Sequence, residues 1–304
     1  AEVSLCELRD DLRREVSQRY GLNQSFSTLD SALQGAKFDA AVVCTPAHLH
    51  IPMALELAEY GIGLLIEKPL SISMDGIDAL QSLTVAKQTP VSVAYVLRQH
   101  PALQALRSSV SAGRFGRPVQ VVFTGGQHFP FYRPAYRDIY YTRHETGGGA
   151  IQDALTHMVN AVEWIVGPIT RLIADADHCV LDGVDVEDTV HMMTRHSDIL
   201  GSFSLNQHQP PNESTLTVIC ERGAARYEAH RSRWLSCTEP DSEWAVEDTF
   251  QIERDDLFVS QAGAFLDHLE GREAVGCSLK DAVQTLQVSL AALKSVNTSS
   301  WVDV

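Results

Sequence analysis

Over its first third the chain alternates short apolar runs with amphipathic stretches. EVSLCEL (2–8) reads as a strand and RDDLRREVSQRYG (9–21) as a helix closed by Gly21. SFSTL (25–29) and DSALQG (30–35) follow as a short strand and a short helix. DAAVVCTP (39–46), GLLIEKP (63–69) and VSVAYVLR (91–98) are rich in Val, Ala and Leu without polar alternation, as strands covered on both faces are. The helical patterns IPMALELAEYG (51–61) and MDGIDALQSLTVAKQ (74–88) separate them. Strands joined by helices of this length imply right-handed crossovers and a parallel sheet. Residues 1–99 are therefore expected to form a doubly wound α/β domain.

Beyond residue 99 the pattern changes. PALQALRSSVSAG (101–113) is helical, PVQVVFTGGQ (118–127) is a strand, and residues 128–145 form a long loop of aromatic rings and arginines. The glycine run TGGGA (146–150) opens a helix over IQDALTHMVNAVEWIVG (151–167). Strand patterns then succeed one another at 170–179, 187–196, 199–209, 214–223 and 224–232, and helices are expected over Asp256–Leu269 and Leu279–Ser295. Strands in series with hairpin-length gaps predict a largely antiparallel open sheet in an α+β domain over residues 100–304.

Composition narrows the function. With 304 residues and 44% hydrophobic content the chain has material for two cores. A net charge of −15 argues against nucleic acid or an anionic membrane surface as partner, and no apolar stretch is long enough to cross a bilayer. The opening AEVSLCELRDDLRREV lacks the layout of a signal peptide. Six cysteines without a C-x-x-C pair point to reduced thiols and a cytoplasmic setting. His178, His191, His196 and His208 have no ligand spacing, and no metal is expected.

Three strand ends carry chemistry. In open α/β sheets ligands sit beyond the carboxyl ends of the strands, where this chain places Cys44–His50, Glu67-Lys68-Pro69 and Val96–Pro101. Asp153 and His157, four apart, share a face of the glycine-run helix and have the makings of an acid/base pair. Such pairs are also common on solvated helices, but Ile151, Leu155, Met158 and Val162 mark this helix as mostly buried. In the loop from His128 to Glu145, the residues Tyr132, Arg133, Tyr136, Arg137, Tyr140 and Tyr141 suit a polyhydroxylated or anionic ligand, and suit an inter-subunit contact equally well.

With these residues in view, the chain resembles the glucose–fructose oxidoreductase / inositol dehydrogenase (Gfo/Idh/MocA) family. The likeness rests on DAAVVCTPAHLHIPMALELAEYGIGLLIEKPLS, on AYVLRQHPALQALRSSVSAGRFGRPVQVVF and on TGGGAIQDALTHMVNAVEWIVG. It implies a Rossmann-like first domain and hydride transfer between nicotinamide and a sugar, sugar acid or cyclitol hydroxyl. By that resemblance Lys68, Asp153 and His157 are catalytic, with Asp153 orienting His157. Glu7, Arg9, Thr45, Pro46, His50, Glu67, Lys68 and Arg98 would hold NAD, or NADP. Arg98, His128, Tyr132, Arg133, Tyr141, Asp153 and His157 would meet the substrate. A homodimer or homotetramer through the open sheet face is also implied.

Departures from the family pattern are Leu155 and Asn160, where a glycine and a second aspartate are frequent. The family's opening strand and G-x-G-x-x-G turn have no counterpart here, so the first βα unit is expected to be missing from this sequence. That departure keeps a catalytically silent sugar-binding or assembly subunit in view, alongside an NAD-dependent lyase or hydrolase working by transient oxidation.

Overall fold

A computed structural model describes residues 1–272 and 276–304, and the chain separates into two compact units, Ala1–Ala41 and Val42–Val304. In the smaller unit β1 (Leu5–Cys6) pairs in parallel with β2 (Ser25–Phe26). The helix α1 (Asp10–Tyr20) connects them and α2 (Leu29–Gly35) follows. Both strands are shorter than their sequence patterns; at β1 the flanking Val3 and Leu8 are exposed and bury nothing that would hold the flanks extended. Gly21 ends α1 in the left-handed region at φ 62°.

Two further sheets follow along the chain. The first takes the order β3 (Ala40–Val43), β4 (Gly63–Ile66), β5 (Val91–Val93), with β4 and β5 parallel. The crossover helices are α3 (His50–Glu59) and α4 (Ile77–Lys87). Every residue of β4 is buried, as its unbroken apolar run requires. The outer edge of β5 is closed by a bridge between Ser92 and Ser278 and by the Val93 amide donating to the Cys277 carbonyl (3.0 Å).

After α5 (Pro101–Ser111), the second sheet begins with β6 (Pro118–Gly126), followed by the single turn α6 (Phe129–Tyr132) and the helix α7 (Thr156–Val166). Its further strands are β7 (Arg171–Asp177), β8 (Thr189–His196), β9 (Ile199–Asn206), β10 (Glu213–Cys220), β11 (Gly223–Glu228), β12 (Arg233–Cys237) and β13 (Ala245–Thr249). The helices α8 (Asp256–Leu269) and α9 (Leu279–Thr298) and the strand β14 (Val302–Asp303) complete the chain. The nine strands run in the order β13-β12-β11-β10-β6-β9-β8-β7-β14. Pairing is antiparallel except between β6 and β9, which are parallel.

The sheet has a covered and an open face. Along β8, Val190, Met192, Thr194 and His196 are buried while His191, Met193 and Arg195 point outward. Phe123, Val159, Val162, Leu216 and Val218 fill the core between sheet and helices. A smaller, separate cluster of Phe129, Tyr136, Tyr141, Leu181, Val184 and Val186 lies under the long loop. Three strands, β12, β13 and β14, lie outside the expected patterns, and the helix expected from residue 151 opens instead as a π-helical turn, Ala150–Leu155.

Candidate active site

The site is assembled where β4 ends. The buried strand delivers Lys68, whose ammonium donates to the Asp153 carboxylate oxygen Oδ1 and to the Asp153 main-chain carbonyl, both at 2.8 Å. The Tyr140 hydroxyl donates to the same Oδ1 at 2.8 Å. Asp153 is only 4% exposed. Burial works against its charge, but Lys68 first, then Tyr140 and Arg133, overcome it and hold the carboxyl below its ordinary range.

His157 stands beside this cluster without joining it by a hydrogen bond. Burial, and then the Lys68 charge, push its imidazole down to about 3, so it is neutral at ordinary pH. Its Nδ1 is buried without a partner among the described residues. The ring of Tyr95 meets it edge-on, 6.2 Å between centroids, and the Tyr95 hydroxyl pairs with Thr156 Oγ1 at 3.0 Å. Asp153 therefore acts on His157 through its field, while its hydrogen bonds go to Lys68 and Tyr140. The expected alignment of residues four apart supposes an α-helix; the wider π turn removes it.

The glycine run explains how this helix can begin so close to the loop. A Cβ on Gly148 would stand 2.1 Å from the Tyr141 carbonyl oxygen, and one on Gly149, whose φ is 92°, would stand 2.6 Å from the Glu187 carboxylate. Glu187 accepts the Ile151 amide (2.8 Å) and pairs with His144 Nε2 (2.5 Å), a carboxylate placed at a helix start. No local signal marks Glu187 in the sequence, because its partners lie some way back along the chain.

The His144–Glu187 pair carries a pH dependence. The hydrogen bond that His144 donates to the Glu187 carboxylate outweighs burial and raises the His144 pKa. A raised folded-state pKa gives stability that is full below the unfolded value and lost as pH rises through the folded one. The drop in Tm caused by His144→Gln is expected to be larger at about pH 6 than at about pH 9. Thermal melts of both proteins across that range check it, and an equal drop at both ends would refute it.

Other predicted site residues lie elsewhere or act indirectly. His50 is 1% exposed, with Nδ1 2.9 Å from the Pro69 carbonyl and Nε2 2.7 Å from that of Thr45, so it ties the ends of β3 and β4 together. Glu67 accepts the Lys68 amide (3.0 Å), Thr45 donates to Met53 Sδ (3.5 Å), and Pro46 is exposed. Arg98 is 5% exposed and is engaged by Asn160 (2.8 Å), Asp281 (3.0 Å) and the Gly276 carbonyl (3.0 Å). Asn160 donates on to Thr285, and Thr285 to Glu163, whose carboxyl burial raises to about 7. This network joins α7 to α9.

In the loop, Tyr141 is fully buried against Phe129 (4.6 Å between centroids), with its hydroxyl on Gln207. It is a core residue here. Tyr132 is exposed; Arg133, also exposed, lies over the Phe129 ring (5.7 Å). His128 Nδ1 is buried without a partner among the described residues. In the first unit, Glu7 accepts the Arg9 amide (2.8 Å) just past β1.

A nicotinamide ring fits the residues gathered within the larger unit. At the end of β4, Lys68 has a third N–H unengaged among the described residues and His157 a neutral ring. A Rossmann-like sheet whose strand end delivers a lysine to a helix of a mostly antiparallel domain is an arrangement found in NAD(P)-dependent oxidoreductases. Residues 4–95 match the oxidoreductase family with an NAD-binding Rossmann fold, and residues 103–226 match the GFO/IDH/MocA C-terminal domain. The chain belongs to the Gfo/Idh/MocA family.

Among its relatives is levoglucosan dehydrogenase of Pseudarthrobacter phenanthrenivorans, 23% identical over 99% of this chain and 88% of that protein. The rhizopine catabolism protein MocA of Rhizobium meliloti is 24% identical over 96% and 88%. The solved levoglucosan dehydrogenase in complex with NADH and levoglucosan shares the fold at a TM-score of 0.91 and 22% identity, covering 100% of this chain and 90% of its own.

Proposed function

We propose that the protein transfers a hydride between nicotinamide and a secondary hydroxyl of a sugar, sugar acid or cyclitol. The observation that carries this reading is the Lys68 ammonium fixed on Asp153 beside the neutral His157 ring. Bound NAD, or NADP, supplies the hydride acceptor or donor. Lys68 donates its free N–H to the reacting oxygen and stabilises the negative charge that develops there. The imidazole of His157 accepts the hydroxyl proton and returns it in the reverse direction. Asp153 holds the ammonium in place. Arg133 and Tyr132, exposed on the loop, meet the remaining hydroxyls, and the buried Nδ1 of His128 has no partner among the described residues.

On the cofactor, Glu7 favours the free ribose of NAD and Arg9 leaves NADP as the alternative. Thr45, Pro46 and Glu67 line the strand ends on the nicotinamide side, with His50 beneath them. The relative named for levoglucosan supports a polyhydroxylated substrate.

The proposal includes a homodimer or homotetramer joined through the open sheet face, in a cytoplasmic setting that fits six free cysteines. On that face Arg171 and Arg195 form a basic row, Ile173 and Met193 an apolar one, and Asp175 and His191 the row beyond. A second copy laid on it with its strands reversed brings the arginines of each copy towards Asp175 of the other.

The test is a panel of sugars, sugar acids and cyclitols with NAD+ and NADP+, followed by nicotinamide absorbance. Turnover with at least one polyhydroxylated alcohol is expected. Binding of NADH without turnover of any panel member would sink the reading.

A further inference from the structure

Two donors converge on one buried oxygen. Lys68 and Tyr140 each reach Asp153 Oδ1 at 2.8 Å, from different segments of the chain. The terminal torsion of an aspartate is soft, so a carboxylate with a single donor can turn its plane and exchange oxygens. A second donor from another direction removes that freedom. The lysine gains as well, because its other bond goes to the carbonyl of the same residue.

Tyr140 is itself held firmly. Its neighbour Tyr141 is buried in the cluster of Phe129, Tyr136, Leu181, Val184 and Val186. Thr146 Oγ1 donates to the Tyr140 carbonyl at 2.5 Å. Burial, followed by the charge and hydrogen bond of Asp153, raises the phenol pKa, so the hydroxyl stays a donor throughout the working range.

We propose that Tyr140 is a positioning residue, whose phenol fixes the Asp153 carboxylate and, through it, the Lys68 ammonium. The inference rests on the reaction assigned above. The charged and titratable groups around Asp153 are Lys68 from the end of β4, Tyr140 and Arg133 from the loop and His157 from its own helix, with Tyr141 and Glu67 beyond. Loss of the phenol hydrogen bond removes one stabiliser of the ionised carboxylate and leaves the others.

The test is Tyr140→Phe in the full chain, read in two ways. With 13C-carboxyl aspartate labelling and Asp153→Asn for assignment, the Asp153 resonance is followed against pH without cofactor or substrate. With the best substrate of the panel, kcat and KM are followed against pH. The Asp153 resonance is expected to titrate at higher pH in the variant, and the acid limb of kcat to move up with it. A roughly tenfold fall in kcat is expected, the size of one hydrogen bond to a charged group, with KM changed by less than about twofold.

An Asp153 titration that does not move would overturn the inference, as would a loss of kcat with the acid limb unchanged. Wild-type turnover by Lys68→Met would remove the assigned reaction instead. The resonance needs no turnover and would still decide whether Tyr140 acts on Asp153.

Discussion

Replacing Lys68 by Met is expected to lower kcat by about a thousandfold, the scale of a lost hydrogen-bonding electrostatic stabiliser at the reacting oxygen. Methionine keeps the unbranched shape, so the end of β4 stays packed. The ammonium is what disappears. Asp153 then remains buried with the phenol of Tyr140 as its one hydrogen-bond donor among the described residues and Arg133 at longer range. Breaking one side of a buried pair costs about 3 kcal/mol. Asp153 is expected to relieve part of that by taking up a proton at a higher pH than before. The double variant Lys68→Met/Asp153→Asn carries no stranded charge and should recover most of the stability without recovering turnover. Denaturant unfolding and steady-state rates on the three proteins separate the two effects. Turnover of the double variant at the wild-type rate would show that the lysine only holds the site together.

Gly148→Ala is expected to be strongly destabilising. The new Cβ would stand 2.1 Å from the Tyr141 carbonyl oxygen and 2.8 Å from that of Arg143, both backbone atoms that no rotamer change can move. Relief requires shifting the segment that carries Tyr140, or the helix start that carries Asp153. A destabilisation of about 3 kcal/mol or more is expected, with kcat falling out of proportion to the folded fraction. Gly113→Ala is the contrast. That glycine has φ +73° but no atom within 4 Å of an added Cβ, so left-handed strain of about 1–2 kcal/mol is the whole effect. Equal losses in the two variants would mean that the close approach at Gly148 relaxes freely.

Much of this architecture is legible in the sequence wherever burial alone decides the structure. The run Gly63–Ile66 is apolar throughout and becomes a strand buried throughout, so the position of Lys68 at its mouth follows directly. Where a partner decides, the pattern is silent. Ala245–Thr249 is exposed along its length and is a strand only because Arg233–Ser236 pair with it. The parallel pairing of β6 with β9 has no local sign either, since the hairpin-like gaps between successive strands point to antiparallel neighbours.

The same division runs through the site. Tyr140 and Tyr141 are identical letters in adjacent places, and strand-end rules or spacing cannot say which ring turns inward. The pocket of Leu181, Val184 and Val186, some forty residues further on, takes Tyr141 and leaves Tyr140 to face Asp153. Arg98, at a strand end like Lys68, is drawn away by Asn160 and Asp281.

The aromatic cluster beneath the loop shares no member with the core between sheet and helices. Changes that repack it shift the ledge on which Tyr132, Arg133 and Tyr140 sit while leaving the main hydrophobic interior untouched. On the proposed function, such a layout separates the residues that meet the substrate from the interior that holds the fold, so each is open to its own substitutions.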